Sequence, residues 1–179
     1  MYKFAPANRY ESIVFGAAQP KYSETSIKQW IEFMQAEKIE KICCLLEKKS
    51  LIRYQVDLLA VYRQEFGQEA VLWQPLADFQ IPTSAILIDR IIPFLISAEQ
   101  NQQKVLVHCA GGVGRTGIVL AAWLVSRRGF TNQQAISAVK QNQRYPQEAI
   151  IAALFKLQHP LQANQQLHNL LNDCRQAFE

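Results

Sequence analysis

The sequence predicts an α/β fold: a central, mostly parallel sheet of about four to five strands, flanked by helices. Short apolar stretches alternate along the chain with stretches of helical period. The inner stretches KICCLL and KVLVH have continuous apolar centres, as strands covered on both faces do. The chain has 179 residues of which 49% are apolar, enough for one domain with a sizeable core.

The elements follow in order. SIVFG (12–16) reads as a short strand. SETSIKQWIEFMQAEK (23–38) opens on Ser and Thr cap candidates and spaces Ile27, Trp30, Ile31 and Met34 along one helical face. KICCLL (41–46) is a buried strand. YQVDLLAVYRQEF (54–66) reads as a helix that stops at Gly67, with Asp57 inside it. AVLW (70–73) is a strand. PLADFQIP (75–82), with proline at both ends, is a loop. TSAILIDRIIPFLISAEQ (83–100) is a helix from a Thr/Ser cap, with a kink expected at Pro93. KVLVH (104–108) is a buried strand. RTGIVLAAWLVSRRG (115–129) is a helix closed by Gly129. TNQQAISAVKQNQ (131–143) and QEAIIAALFKLQ (147–158) are helices, and LQANQQLHNLLNDCRQAF (161–178), after Pro160, is a last amphipathic one. No repeat or linker interrupts the chain, so residues 1–179 form a single domain with 161–178 as an extra C-terminal helix.

Several function classes drop out. No apolar run reaches membrane-span length, and ILIDRIIPFLI is broken by Asp89, Arg90 and Pro93. MYKFAPANRYES lacks the apolar centre of a signal peptide, so a cytoplasmic protein without membrane insertion is expected. Cys43, Cys44, Cys109 and Cys174 show no metal-ligand or disulfide spacing, and no metal or cofactor is expected. Cys43 and Cys44 alternate across a strand, and Cys174 reads as a packing residue. The net charge is +4, and no Asp or Glu occurs between Gln100 and Gln147, where Lys104, Arg115, Arg127, Arg128, Lys140 and Arg144 lie. A solvated basic face and a field that attracts an anion both fit that pattern.

The loop after KVLVH decides between them. VLVHCAGGVGRTGIVL runs from a strand through glycines into a helix N-terminus, where free amides and the helix dipole make an anion site. Gly112, Gly114 and Gly117 fit a dinucleotide-binding glycine pattern, but no acidic residue follows at the required distance. A nucleoside-triphosphate loop needs Lys where Arg115 stands. A buried free cysteine is a common packing residue, but Cys109 is followed, five residues on, by Arg115. A loop of that length wraps a tetrahedral oxyanion, with the sulfur below it and the guanidinium fork at the rim. The amides of Ala110, Gly111, Gly112, Val113, Gly114 and Arg115 supply the other donors. The same positive surroundings favour a thiolate, placing a nucleophile under a bound phosphorus.

His108-Cys109, five residues, then Arg115-Thr116-Gly117 resembles the phosphate-binding loop of the protein tyrosine phosphatase superfamily, and HCAGGVGRTG is most similar to its compact dual-specificity-type members. IVFGAAQP (13–20), PLADFQIP and the stretch 129–150 are similar to that family's first strand and turn, its general-acid loop and its following helical segment. The resemblance covers about residues 10 to 158 and implies a protein tyrosine phosphatase-like fold. It implies Cys109 as nucleophile, Arg115 as phosphate clamp, Thr116 as a hydroxyl on the sulfur and His108 as a residue ordering the loop by hydrogen bonds. Thr116 also fits a helix-start residue bonding its own backbone.

An acid must protonate the leaving oxygen, and a base must then activate water. Of the four aspartates, Asp57 and Asp89 fall inside expected helices and Asp173 in the last one, which leaves Asp78 in the proline-bounded loop. Phe79 beside it packs the loop or lines the mouth. Arg144 reads as a brace for the phosphate loop, and Arg127 and Arg128 as cations at a helix C-terminus. Trp30, Trp73 and Trp123 read as core or near-core, and His159 and His168 show no partner pattern. The expected activity is metal-independent hydrolysis of phosphomonoesters through a phosphocysteine, on phosphotyrosine and phosphoserine/threonine proteins, by a monomer with no stable nucleic-acid partner. A phosphoinositide substrate ranks second because no lysine occurs within the loop. An RNA 5′-phosphatase and a non-catalytic phosphate-binding module follow.

Overall fold

The computed structural model describes residues 2–148 and 160–179; the expected helix 147–158 lies almost wholly outside them. Five strands form one sheet in the order β1-β2-β5-β3-β4. They are β1 (Ala5–Pro6), β2 (Val14–Ala18), β3 (Ile39–Cys44), β4 (Val71–Trp73) and β5 (Lys104–Cys109). β1 pairs antiparallel with β2, and the other pairings are parallel. The mostly parallel sheet is therefore as the sequence predicts. The added edge strand β1 has only two residues and carries no periodic signal of its own.

Side-chain alternation divides the core in two. Val105, Val107 and Cys109 point to one face with Val14 and Cys43, while Leu106 points to the other with Phe15, Ala17 and Cys44. The second face is covered by α1 (Glu24–Ala36) and α3 (Leu58–Phe66). Ser23 caps α1, whose Ile27, Trp30, Ile31 and Met34 are all buried, as their spacing predicts. Between β3 and α3 lies a further short helix, α2 (Lys48–Leu51). α3 starts later than expected: residues 54–57 are not helical, and the Asp57 carboxylate caps the helix by accepting from the amides of Leu59 and Ala60, both at 3.0 Å. Asp57 is thus a cap rather than an interior helical residue.

The first face carries α4 (Ser84–Ile86), α5 (Ile92–Gln100), α6 (Gly114–Arg127), α7 (Asn132–Gln141) and α8 (Pro160–Gln176). In place of a simple kink at Pro93, the helix widens into a π-turn over Leu87–Ile91 just before it. Pro93 has no N–H for the preceding turn and its ring crowds that turn's carbonyl, which the wider turn relieves. Thr131 and Gln134 close a capping box on α7. Leu167, Leu170, Leu171 and Cys174 of α8 are buried, so Cys174 is a packing residue. Trp30 and Trp123 are fully buried and Trp73 partly. Arg127 and Arg128 are more than dipole partners: they bind Glu99, and Arg128 also binds buried Glu11 at 3.0 Å. His168 has a neighbour after all, since the Asn132 amide reaches its backbone carbonyl at 3.1 Å. No described helix is long and apolar enough to cross a membrane.

Candidate active site

β5 runs down the middle of the sheet, and the loop leaving its carboxyl end lies between the loops that follow β2 and β3. Ligands gather at such a point in open α/β sheets. Gly112 sits at φ +66°, and a Cβ there would come within 2.6 Å of the Ala17 backbone, so the turn requires glycine. A Cβ on Gly114, the first residue of α6, would collide with the Glu148 side chain. With Ala110, Gly111 and Val113, these residues form a tight arc. Among the described residues, none of the backbone N–H groups from Ala110 to Arg115 donates to a protein acceptor. The arc thus presents unspent donors at the positive end of a long helix.

Cys109 closes β5 and lies at the floor of the arc, 2% exposed. Its Sγ accepts a hydrogen bond from Thr116 Oγ1 at 3.2 Å. Thr116 spends its hydroxyl on the sulfur, not on its own backbone. Arg115 is buried. Its Nη1 donates to the carbonyl of Leu76 at 3.2 Å, and its Nη2 pairs with Asp78 Oδ1 at 3.2 Å. The arginine therefore holds the Gln74–Thr83 loop against the site, and that loop delivers Asp78. Gln74 and Leu76 anchor the loop through amide bonds to Cys44 and Leu45. Asp78 is 40% exposed, open enough to meet a substrate. Phe79 takes the left-handed φ of +57° and is half exposed, which places it at the mouth rather than in the packing. Asp89 lies in the π-turn on the solvent side and Asp173 is exposed on α8, so neither joins Cys109.

Arg144 is fully buried and reaches the carbonyls of Gly112, Gly16 and Lys3. Bonding the Gly112 carbonyl from outside fixes the peptide plane and leaves the loop's amides turned inward. That is the brace the sequence suggests. Burial lowers Arg144 to about 10, a shift that the nearby Cys109 side chain opposes, so it stays a cation at neutral pH.

His108 departs from expectation. Strand alternation turns it away from Cys109, toward α1 and α3. Its Nε2 lies 3.2 Å from the Tyr62 hydroxyl, which in turn accepts from Trp30 Nε1 at 2.8 Å. The ring stands edge-on to Tyr62 and Trp30. His108 thus supports the loop from β5 through the core of the opposite face, not by a side-chain bond into the loop. Tyr62 escaped the sequence reading; its one signal is a hydroxyl on the apolar face of α3.

Burial, with Arg115 adding to it, pushes His108 down to about 3 from its ordinary 6.5. Between those values the unfolded chain binds a proton that the folded chain refuses. The neutral core histidine therefore contributes stability that is fully present above pH 6.5 and lost as pH falls toward 3. The span corresponds to about 5 kcal/mol at most. His108→Gln should shed that part of the acid sensitivity. In urea melts from pH 8 to 3, the stability gap between wild type and variant should narrow steadily below pH 6.5. A gap independent of pH would contradict the buried neutral ring.

Among the described residues no cluster of three His, Cys, Asp or Glu side chains could hold a metal ion. An anion cradle at the end of the central parallel strand, floored by a cysteine, is the site arrangement of the protein tyrosine phosphatase superfamily, and a family match places the chain there. The family model for the dual specificity phosphatase catalytic domain matches residues 22–159, and the chain belongs to that family. A dual specificity protein phosphatase of vaccinia virus is 38% identical over 53 residues, 30% of this chain and 31% of the viral protein. The chain spans about a third of the length of several curated relatives that it matches. Among solved structures, Tk-PTP in its active form superposes with a TM-score of 0.68 at 21% identity, covering 96% of this chain and 97% of that one. PTPMT1 in complex with PI(5)P superposes with a TM-score of 0.68 at 16% identity, covering 96% of both. α8 lies beyond the stretch matched by the family model.

Proposed function

We propose that the protein hydrolyses phosphomonoesters of phosphoproteins, on tyrosine and on serine or threonine, through a phosphocysteine. The observation that carries this reading is the Thr116 hydroxyl on the Cys109 sulfur, 3.2 Å apart, beneath an arc of unspent amides. A phosphate seated in the arc has the sulfur below it, and the Arg115 fork closes on two of its oxygens. The Cys109 thiolate attacks phosphorus, an S–P bond forms and the P–O bond to the leaving group breaks. Asp78 gives its proton to the departing oxygen. Water then attacks phosphorus and returns a proton to Asp78. The S–P bond breaks, and Thr116 Oγ1–H stabilises the sulfur as it takes back the electron pair.

The seating of Arg115 couples binding to acid delivery. A phosphate dianion that takes the guanidinium competes with Asp78 for Nη2 and so frees the carboxyl to meet the leaving oxygen. The loop interior, Ala110 to Gly114, contains no side-chain cation to hold a further phosphate. That favours single phosphoresidues over polyphosphorylated headgroups. Turnover should therefore be measured on phosphotyrosine and phosphothreonine peptides, a phosphoinositide and 5′-triphosphate RNA, with a chelator present throughout. Both peptides should be hydrolysed, with rates within about 100-fold of each other, and the phosphoinositide and RNA more slowly. A phosphoinositide rate above both peptides would reverse the substrate assignment.

A further inference from the structure

The two helical faces give the site two unlike sides. The Gln74–Thr83 loop leads to the face of α4 to α6, whereas the loops after β2 and β3 lead to α1 and α3 on the other. These last two loops form one wall. The Gln19 amide donates to the carbonyls of Cys109 and Ala110 at 2.9 and 3.2 Å, and the Leu45 amide to that of His108 at 2.9 Å. Both loops are thereby moored to the end of β5. They are also tied to each other: the Gln55 amide donates to the Tyr22 carbonyl at 3.1 Å, and the Tyr54 hydroxyl to the Pro20 carbonyl at 3.2 Å.

This wall is cationic. Lys21, Lys48, Lys49 and Arg53 are all exposed on it. Lys49 pairs with Glu47 at 3.1 Å, but no described carboxylate lies within ion-pair reach of Lys21, Lys48 or Arg53. Asp57 nearby is engaged in capping α3. The Arg53 guanidinium lies 4.3 Å over the Tyr22 ring, whose hydroxyl accepts from Gln19 Nε2 at 3.0 Å. That stack orients Arg53 before any ligand arrives, which reduces the ordering needed to bind a carboxylate through its fork. The acid-loop side shows Phe79 and no cation.

We propose that the wall of Lys21, Lys48 and Arg53 selects phosphopeptides with acidic residues flanking the phosphorylated one. The proposal rests on the phosphatase reading above. The phosphate enters the arc, and the neighbouring carboxylates of the peptide meet the three unpaired cations.

Three peptides sharing one phosphotyrosine, flanked on both sides by Glu, Gln or Lys, test it. kcat/KM should favour the Glu peptide over the Gln peptide by about tenfold at low salt, with the Lys peptide lowest, and the spread should shrink as salt rises. The triple variant Lys21→Glu, Lys48→Glu, Arg53→Glu should abolish or invert that order. It should change p-nitrophenyl phosphate kinetics far less, because that substrate carries no flanking carboxylate to meet the wall. Equal rates on the three peptides, or an unchanged order in the variant, would overturn the proposal alone. A phosphoinositide preferred over every peptide, and lost in the variant, would assign the wall to a lipid headgroup and overturn it also. Failure of the wild type to turn over p-nitrophenyl phosphate would defeat the phosphatase reading itself, and this proposal with it.

Discussion

Cys109→Ser should lose turnover by at least about 10⁴-fold while still binding inorganic phosphate. The substitution replaces the attacking thiol with a hydroxyl, which ionises far less readily. The amides of Ala110 to Arg115, the buried Arg115 fork and the Arg144 brace all remain. Calorimetry on the variant should give a phosphate affinity within a few-fold of wild type. Retained activity would remove Cys109 from the mechanism. Arg115→Lys makes the complementary point, because an ammonium cannot span two phosphate oxygens and also hold the Leu76 carbonyl. It should lose affinity and rate together. Thiol selectivity tests the same assignment without mutation. Burial raises the thiols of Cys44 and Cys174 to about 12 and that of Cys43 further still. Iodoacetate should therefore alkylate Cys109 first, with phosphate protecting it. Brief peroxide should inactivate the enzyme in a way that a thiol reductant reverses.

What could be read from the chain depended on how local its cause is. Cys109, Arg115 and Thr116 belong to one strand–loop–helix, so their spacing already implies an oxyanion cradle; in the structure the Thr116 hydroxyl meets the Cys109 sulfur and Arg115 is buried at the start of the same helix. Asp78 is reached by the likeness of PLADFQIP to a general-acid loop and by exclusion among four aspartates, because what holds it in place, the Arg115 contacts to Asp78 and to the Leu76 carbonyl, no local pattern encodes. The partner of His108 was illegible for a similar reason. Tyr62 lies 46 residues away on a helix covering the far face of the sheet, and only the strand's alternation, which turns 108 and 109 to opposite sides, brings the two together. The same holds for the cationic wall. Lys21, Lys48 and Arg53 sit in two separate connections, one after β2 and one around α2 after β3, and their shared side appears only once β2 and β3 flank β5. Conversely, Asp57 before Leu58-Leu59 is a local cap signal, and the helix boundary it marks was within reach of the sequence.

Asp78→Asn should separate substrates by their leaving groups. An alkoxide or phenoxide departing from phosphothreonine or phosphotyrosine needs a proton, whereas nitrophenolate can leave without one. The variant keeps the size of the side chain and removes the transferable proton. Peptide hydrolysis should fall by about 10²- to 10⁴-fold and p-nitrophenyl phosphate hydrolysis far less. The basic limb of the kcat/KM profile, which reports loss of the acid's proton, should flatten in the variant. The structure adds a second expectation of opposite sign. Asp78 occupies Nη2 of Arg115 at 3.2 Å in the free enzyme, so an incoming phosphate must displace it. Asparagine cannot form that ion pair, while the bond from Nη1 to the Leu76 carbonyl still anchors the guanidinium. Phosphate should therefore inhibit the variant at a several-fold lower concentration than it inhibits wild type. A slower enzyme that holds its product more tightly is the signature of a carboxyl that both competes for the clamp and serves as the acid. Equal losses on good and poor leaving groups, with phosphate affinity unchanged, would reduce Asp78 to a residue that shapes its loop and would leave the proton donor to be sought elsewhere. Glu148, whose side chain crowds Gly114 at the start of α6, would then be the first carboxyl to replace.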